Sequence, residues 1–197
     1  MTPSPALVEH LPLARAAWTY ADEAHAGQTR KSDGEPFILH PQEVAALLYS
    51  AGCTDPVVAA GLLHDTVERT SVTVDQIDQR FGPEVAGLVA AVTEDPAIES
   101  YRERKAALRR RAIESGPDAA VLFAADKISK VRQYRTQVAH AHGGEAPRPR
   151  RLHHYTESLR MLETSIPTHP LVRQLRRELA GLNAAPGPVT VAAAGRG

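Results

Sequence analysis

Three places in the chain set chemically active side chains in apolar surroundings. In "VVAAGLLHDTVERTS" His64 and Asp65 directly follow a run that is apolar on almost every face. Side chains of helical neighbours point about 100° apart, so two such groups can converge on one ion in a groove between helices. In "VLFAADKI" the segment is apolar all round until Asp126, which a helical wheel places between Leu122 and Phe123. A carboxylate there requires a partner. Lys127 is adjacent but is expected to point elsewhere. In "PFILHP" His40 lies immediately before Pro41, at or next to a helix cap, where its ring can face the core.

Each feature alone has a plain structural reading. His64 reads as a satisfied half-buried histidine, Asp126 as half of an ion pair with an arginine from another helix, His40 as a capping or surface histidine. Together, His40, His64, Asp65 and Asp126 make a set suited to Mn²⁺, Fe²⁺ or Zn²⁺, with water in the open positions. Such an ion lowers the pKa of its water and serves hydrolysis near neutral pH.

Composition narrows the class. The chain has 197 residues, 43% hydrophobic and 23% charged, which fits one domain with a full core. Lys+Arg and Asp+Glu are both 23, giving a formal net charge of zero. That argues against a general nucleic-acid binder and leaves room for a local basic pocket. Cys53 is the single cysteine, which excludes an intramolecular disulfide and a cysteine-rich metal site and favours a reducing, cytoplasmic setting. No basic-then-apolar leader is visible at the N-terminus, and no apolar run approaches the ~20 residues of a membrane span. A soluble protein is expected, with no nucleic-acid or membrane partner. Its oligomeric state is unspecified.

The elements that must position these residues read as nearly all helix. Alanine, leucine, arginine and glutamate dominate, and strand alternation is scarce. A first helix is expected over residues 7–26, with Trp18 and Tyr20 packing it. Pro41 is expected to open a second helix, to about Ala51. Asp55-Pro56 is expected to start the helix that carries His64 and Asp65, out to Glu68. Thr73 with Gln76 is a capping box for a short helix ending near Gly82. Pro83 opens the next, to about Val92. Asp95-Pro96 is expected to start a basic helix, "YRERKAALRRR", through about Glu114. It reads as a solvated face, with the sharper alternative that one or two arginines reach a bound phosphate. Further helices are expected over 118–139, 151–165 and 170–182. A flexible loop is expected at about 140–150, with His153 and His154 at the surface, and a disordered tail at 183–197. The domain proper should occupy residues 1–182.

Four stretches, "AHAGQTRKSDGEPFILHP", "AAGLLHDTVERT", "FGPEVAGLVAAVTE" and "AADKISKVR", run in order from about Ala24 to Arg132. In them the chain resembles the HD metal-dependent phosphohydrolase superfamily, and more closely the hydrolase domain of RelA/SpoT proteins and the small alarmone hydrolases. The resemblance implies a compact all-α fold. It implies one Mn²⁺ bound by His40, His64, Asp65 and Asp126, and removal of the 3′-pyrophosphate from guanosine tetra- or pentaphosphate. Arg30 and Lys31 match the family's basic pair beside the nucleotide, and Glu68 matches the first acid of its catalytic Glu-Asp pair. The physical logic agrees. A pyrophosphate ester needs cations, arginine engages phosphate oxygens in a fork, and a glutamate one turn beyond His64 can orient or deprotonate a water.

Two positions depart from the family pattern. Arg69 replaces the second acid, and Lys130 replaces an asparagine one turn after Asp126. Both add positive charge beside the expected pocket, where they can hold phosphate or repel the metal. Two other readings therefore stay open: an HD phosphohydrolase acting on another nucleotide or phosphate ester, and a catalytically silent module that binds a nucleotide or a partner protein.

Overall fold

The computed structural model describes residues 10–30, 33–140 and 149–183. Among them are ten helices: α1 (Pro12–Ala24), α2 (Leu39–Ser50), α3 (Asp55–Leu63), α4 (Thr66–Arg69), α5 (Val74–Phe81), α6 (Pro83–Val92), α7 (Tyr101–Glu114), α8 (Pro117–His140), α9 (Pro149–Ser165) and α10 (Pro170–Asn183). The described residues hold no strand, only an isolated antiparallel bridge between Thr29 and Pro36. The all-α expectation holds.

Helix α3 is the centre of the fold. Every residue from Val57 to Leu63 is buried, and the helix packs against α1, α2, α6 and α8. Full burial of Leu62 and Leu63 contributes roughly 1.5–3 kcal/mol each. Asp55, the first residue of α3, also ties α1 down. Its carboxylate accepts hydrogen bonds from the Leu13 and Ala14 backbone N–H groups at 2.9 and 2.8 Å. These are free donors of the first turn of α1, which a helix cannot satisfy internally. Helix α8 lies alongside, apolar from Ala119 to Ala125 and buried throughout that run. Arg132 and Arg135 of α8 both pair with Glu178 of α10, at 2.7 and 2.8 Å.

Several boundaries differ from the sequence expectation. Helix α2 begins at Leu39, so His40 sits in its first turn rather than before it. Helix α3 ends at Leu63, so His64 and Asp65 lie in the junction to α4. Asp95-Pro96 forms a turn instead of a helix start, with Asp95 Oδ1 accepting from Ala97 N at 3.0 Å. Ser100 caps α7 through the Glu103 N–H. The Thr73–Gln76 capping box is present with both of its hydrogen bonds. His154 is 4% exposed, not a surface residue, because α9 turns it toward Phe123 and Tyr155. Lys31, the centre of the expected flexible loop and all but the first residue of the expected tail lie outside the described residues. Among the described residues no helix is long and apolar enough to cross a membrane.

A candidate metal centre between three helices

The site forms where the end of α3 meets the first turn of α2 and the middle of α8. After Leu63 the chain stays near helical geometry, with φ/ψ of −58/−32° at His64 and −94/−5° at Asp65. The Thr66 hydroxyl donates to the Leu63 carbonyl at 2.7 Å and satisfies one of the last carbonyls of α3. His64 Nδ1 lies 2.8 Å from the Gly61 carbonyl, which makes it the protonated nitrogen and leaves Nε2 as a lone pair. The close approach of α2 and α3 depends on Gly61. A Cβ there would lie 2.6 Å from Leu48 Cδ1.

His40 is oriented by residues of α8 and its own helix. Its Nδ1 lies 2.8 Å from Ser129 Oγ, and Ser129 donates its proton to Glu43 Oε2 at 2.6 Å. The Glu43 carboxylate is held in turn by Arg132 at 2.9 Å. Gln133 donates to Ser129 Oγ at 3.2 Å. Gln133 Nε2 also lies 3.0 Å from His40 Nδ1, so Ser129 and Gln133 together hold the ring with Nε2 turned toward His64.

The two Nε2 atoms face each other at 3.2 Å. One ligand atom from each of His40, His64 and Asp65 lies within 4.8 Å of the others. Asp126 Oδ1 joins them, 3.2 Å from His40 Nε2 and 3.5 Å from His64 Nε2. All four residues are buried. Two facing imidazole nitrogens beside two buried carboxylates make a cluster of four metal-type donor groups. The donor set therefore fits a divalent cation.

Three cations of the chain already contact the cluster carboxylates. Arg69 Nε is 3.1 Å from Asp65 Oδ2, and its guanidinium lies 4.4 Å from the centre of the Phe37 ring. Lys130 Nζ is 2.9 Å from Asp126 Oδ1 and 3.8 Å from Asp65 Oδ1. Lys127 corrects the sequence expectation. It is buried with Nζ 2.5 Å from Asp126 Oδ2 and over the Phe123 ring, because its four-carbon stem curls back along the helix.

Burial lowers the Lys127 pKa to about 8 against the pull of Asp126. At Asp65, burial favours the acid form, but Lys130, His64 and His40 outweigh it and hold the carboxylate ionised. Asp126 behaves alike, with Lys127 and Lys130 as the opposing cations. Burial lowers the pKa of His40, whereas at His64 the effect of burial is outweighed by Asp65 and Asp126 and the pKa rises.

Not every expected residue joins the cluster. Glu68 Oε1 accepts the Glu94 backbone N–H at 2.5 Å, although its charge still reaches Lys130. Arg30 pairs within its own turn, with Asp33, at 2.9 Å. Sequence reasoning missed Glu43, Ser129 and Gln133, the residues that orient His40, and buried His25, whose pKa responds to Asp65 and His64. The signal was available for α8. Ser129, Lys130 and Gln133 follow Asp126 by three, four and seven residues, which is one helix face.

Comparison with known proteins bears on this arrangement. A family model described as "HD domain" matches residues 17–148, which contain the whole cluster. The chain belongs to the HD-domain family. The HD-domain assignment and the His40–His64–Asp65 cluster together mark a divalent-metal site. Human MESH1, named guanosine-3′,5′-bis(diphosphate) 3′-pyrophosphohydrolase, is 42% identical over 116 residues, covering 57% of this chain and 64% of MESH1. A probable enzyme of the same name from Synechocystis is 49% identical over 77 residues, covering 39% of this chain and 10% of that protein.

Among solved structures, one described as a metazoan ortholog of SpoT that hydrolyses ppGpp superposes with a TM-score of 0.71. It is 25% identical, covering 92% of this chain and 97% of the other. A crystal structure from Listeria monocytogenes gives 0.64 at 30% identity, covering 76% and 96%. The HD domain thus spans less than two thirds of the curated relatives it matches.

Proposed function

We propose that this HD domain is a divalent-metal-dependent phosphohydrolase that removes the 3′-pyrophosphate from guanosine 3′,5′-bis(diphosphate)-type alarmones in the cytoplasm. The observation that carries the reading is the convergence of His40, His64, Asp65 and Asp126 within a segment whose relatives bear that activity in their names. These four residues would hold the ion, with Mn²⁺ the proposed metal. When bound, the ion supplies Lewis acidity toward a phosphoryl oxygen and acidifies water.

The chain's own residues supply the rest. Glu68 is the proposed base. It takes a proton from the attacking water as the new O–P bond forms, and returns that proton to the 3′ oxygen as the bond from that oxygen to phosphorus breaks. This requires its carboxylate to turn from the Glu94 amide toward Lys130. Arg69 and Lys130 would hold phosphate oxygens, with Arg30 and Lys31 proposed as further cations for the nucleotide. The α2–α3–α8 packing excludes bulk water from the cluster and strengthens each of these interactions.

The test is pyrophosphate release from guanosine 3′,5′-bis(diphosphate) by purified protein with added Mn²⁺, followed by chromatography. Guanosine diphosphate and pyrophosphate are the expected products. His64→Ala is expected to lose both metal content and turnover, and a variant that kept both would sink the assignment.

One observation favours a second reading. Arg69, Lys127 and Lys130 already surround the two cluster carboxylates. A silent nucleotide-binding module would show binding without turnover under any metal.

A further inference from the structure

A cavity of about 310 Å³ opens where the start of α7 meets α9, and no part of the proposed mechanism uses it. Tyr101, Arg102, Lys105, Arg109, Arg150 and His154 line it, and no carboxylate does. Arg109 is the anomaly. It is 8% exposed, yet no carboxylate among the described residues pairs with it, and its Nε has no hydrogen-bond partner. Glu157, already paired with Arg160, offsets this charge from beyond ion-pair distance, so the buried guanidinium has no direct counter-ion, which is unfavourable. The basic run on α7 is therefore not only a solvated face.

Arg109 Nη1 donates to His154 Nδ1 at 2.8 Å, which leaves the histidine proton on Nε2. His154 Nε2 is also buried without a partner. Burial and the nearby charges of Lys127 and Lys105 keep this imidazole neutral, so it acts as a donor. Two buried N–H donors thus belong to residues lining one cationic cavity. Lys105 is already neutralised by Glu94, while Arg102 and Arg150 stand exposed at the mouth.

We propose that this cavity binds a phosphate or diphosphate group, held by Arg109, with His154 as a neutral donor and Arg102 and Arg150 at the entrance. The chemistry matches. A guanidinium engages phosphate oxygens in a fork, and a buried cation gains in the complex the direct counter-ion it lacks alone. The cavity communicates with the metal centre through packed groups. Lys127, paired with Asp126, lies over the Phe123 ring, and that ring meets His154 edge-on at 6.5 Å between centroids. The phosphate group has two possible sources: the distal diphosphate of a nucleotide already seated at the metal centre, or a separate phosphate-bearing ligand. The site is inferred from its own residues, and only the first source rests on the proposed function.

The test is calorimetric titration of the full chain with inorganic pyrophosphate in EDTA, which is independent of metal and turnover. One pyrophosphate is expected to bind, with affinity reduced about tenfold or more in Arg109→Gln and partly restored in Arg109→Lys. The Arg102→Ala/Arg150→Ala double variant changes only exposed side chains. It is expected to melt like the parent and to bind several-fold more weakly. No binding by the parent, or unchanged affinity in both Arg109→Gln and the double variant, overturns the proposal.

With Mn²⁺ and guanosine 3′,5′-bis(diphosphate), competitive inhibition by pyrophosphate with a raised KM in the double variant assigns the group to the substrate. Retained pyrophosphate binding at saturating nucleotide assigns it to a separate ligand. If no turnover occurs, the EDTA titration still decides the site, so failure of the function and failure of the site are distinguishable.

Discussion

Arg69 Nε sits 3.1 Å from Asp65 Oδ2, one helical turn away, so a permanent cation is paired with a carboxylate of the metal cluster. The Arg69 side chain is 45% exposed, but Asp65 is buried, so losing the cation leaves that carboxylate short of a partner. Arg69→Asp should therefore melt lower than the parent without metal and regain stability when Mn²⁺ is added. It also removes a cation and installs an acid that can accept a proton. Alarmone hydrolysis at saturating substrate is expected to rise by about tenfold or more, in the range a positioned base contributes, while KM rises because Arg69 no longer holds a phosphate oxygen. Pyrophosphate release by the two proteins at equal Mn²⁺ measures it, and an unchanged or lower rate in the variant would clear Arg69 of restraining turnover.

Lys130 Nζ lies 2.9 Å from Asp126 Oδ1, on the side of the carboxylate that faces the two histidines. A divalent ion must coexist with that charge or displace it. Lys130→Asn is expected to tighten Mn²⁺ binding by on the order of tenfold, since a like charge at such a distance costs a few kcal/mol at most near a protein surface. Calorimetry on metal-free protein reads this directly. The same variant should bind anionic nucleotides more weakly.

Ser129 is fully buried and carries the contact between Glu43 and His40 Nδ1. Ser129→Ala leaves the imidazole without the hydroxyl that orients it. Loss of such a partner of a ligating histidine lowers metal affinity by about 10–100-fold. Competition with a metal-binding dye checks it, and an affinity equal to the parent would remove Ser129 from the site.

A methyl at Gly61 would stand 2.6 Å from Leu48 Cδ1 and 3.4 Å from Ala45 Cα. The gain in helix propensity from Gly61→Ala, about 0.5–1 kcal/mol, is smaller than a typical overpacking cost of about 1–3 kcal/mol. Net destabilisation of about 1 kcal/mol is expected, read as a lower denaturant midpoint at unchanged slope.

Burial, with a smaller contribution from Asp118, raises the Cys53 thiol from its ordinary 9.0 to about 11. The folded state thus holds its proton more tightly than the unfolded state. That stabilisation is complete below pH 9 and is lost as pH rises through about 11. Native protein at pH 8 should alkylate much more slowly than a free peptide thiol. Equal rates would show that the cysteine is not shielded.

The sequence by itself determined the helical class, the capping box at Thr73 and the central place of α3. These depend on local propensity and on an apolar run that has nowhere to go but the core. It also determined the four ligand candidates, because polar groups inside apolar helices leave few readings. Tertiary structure alone decided what those groups meet. Residues 24 to 89 positions apart became neighbours, so Ser129 could orient His40 and Lys130 could reach Asp65. It turned Lys127 inward, drew Glu68 to the Glu94 amide and buried Arg109 and His154 behind a cationic cavity. Helical periodicity says which face a side chain occupies. The direction of a long flexible side chain depends on charges supplied by other helices, and only the packed fold brings those within reach.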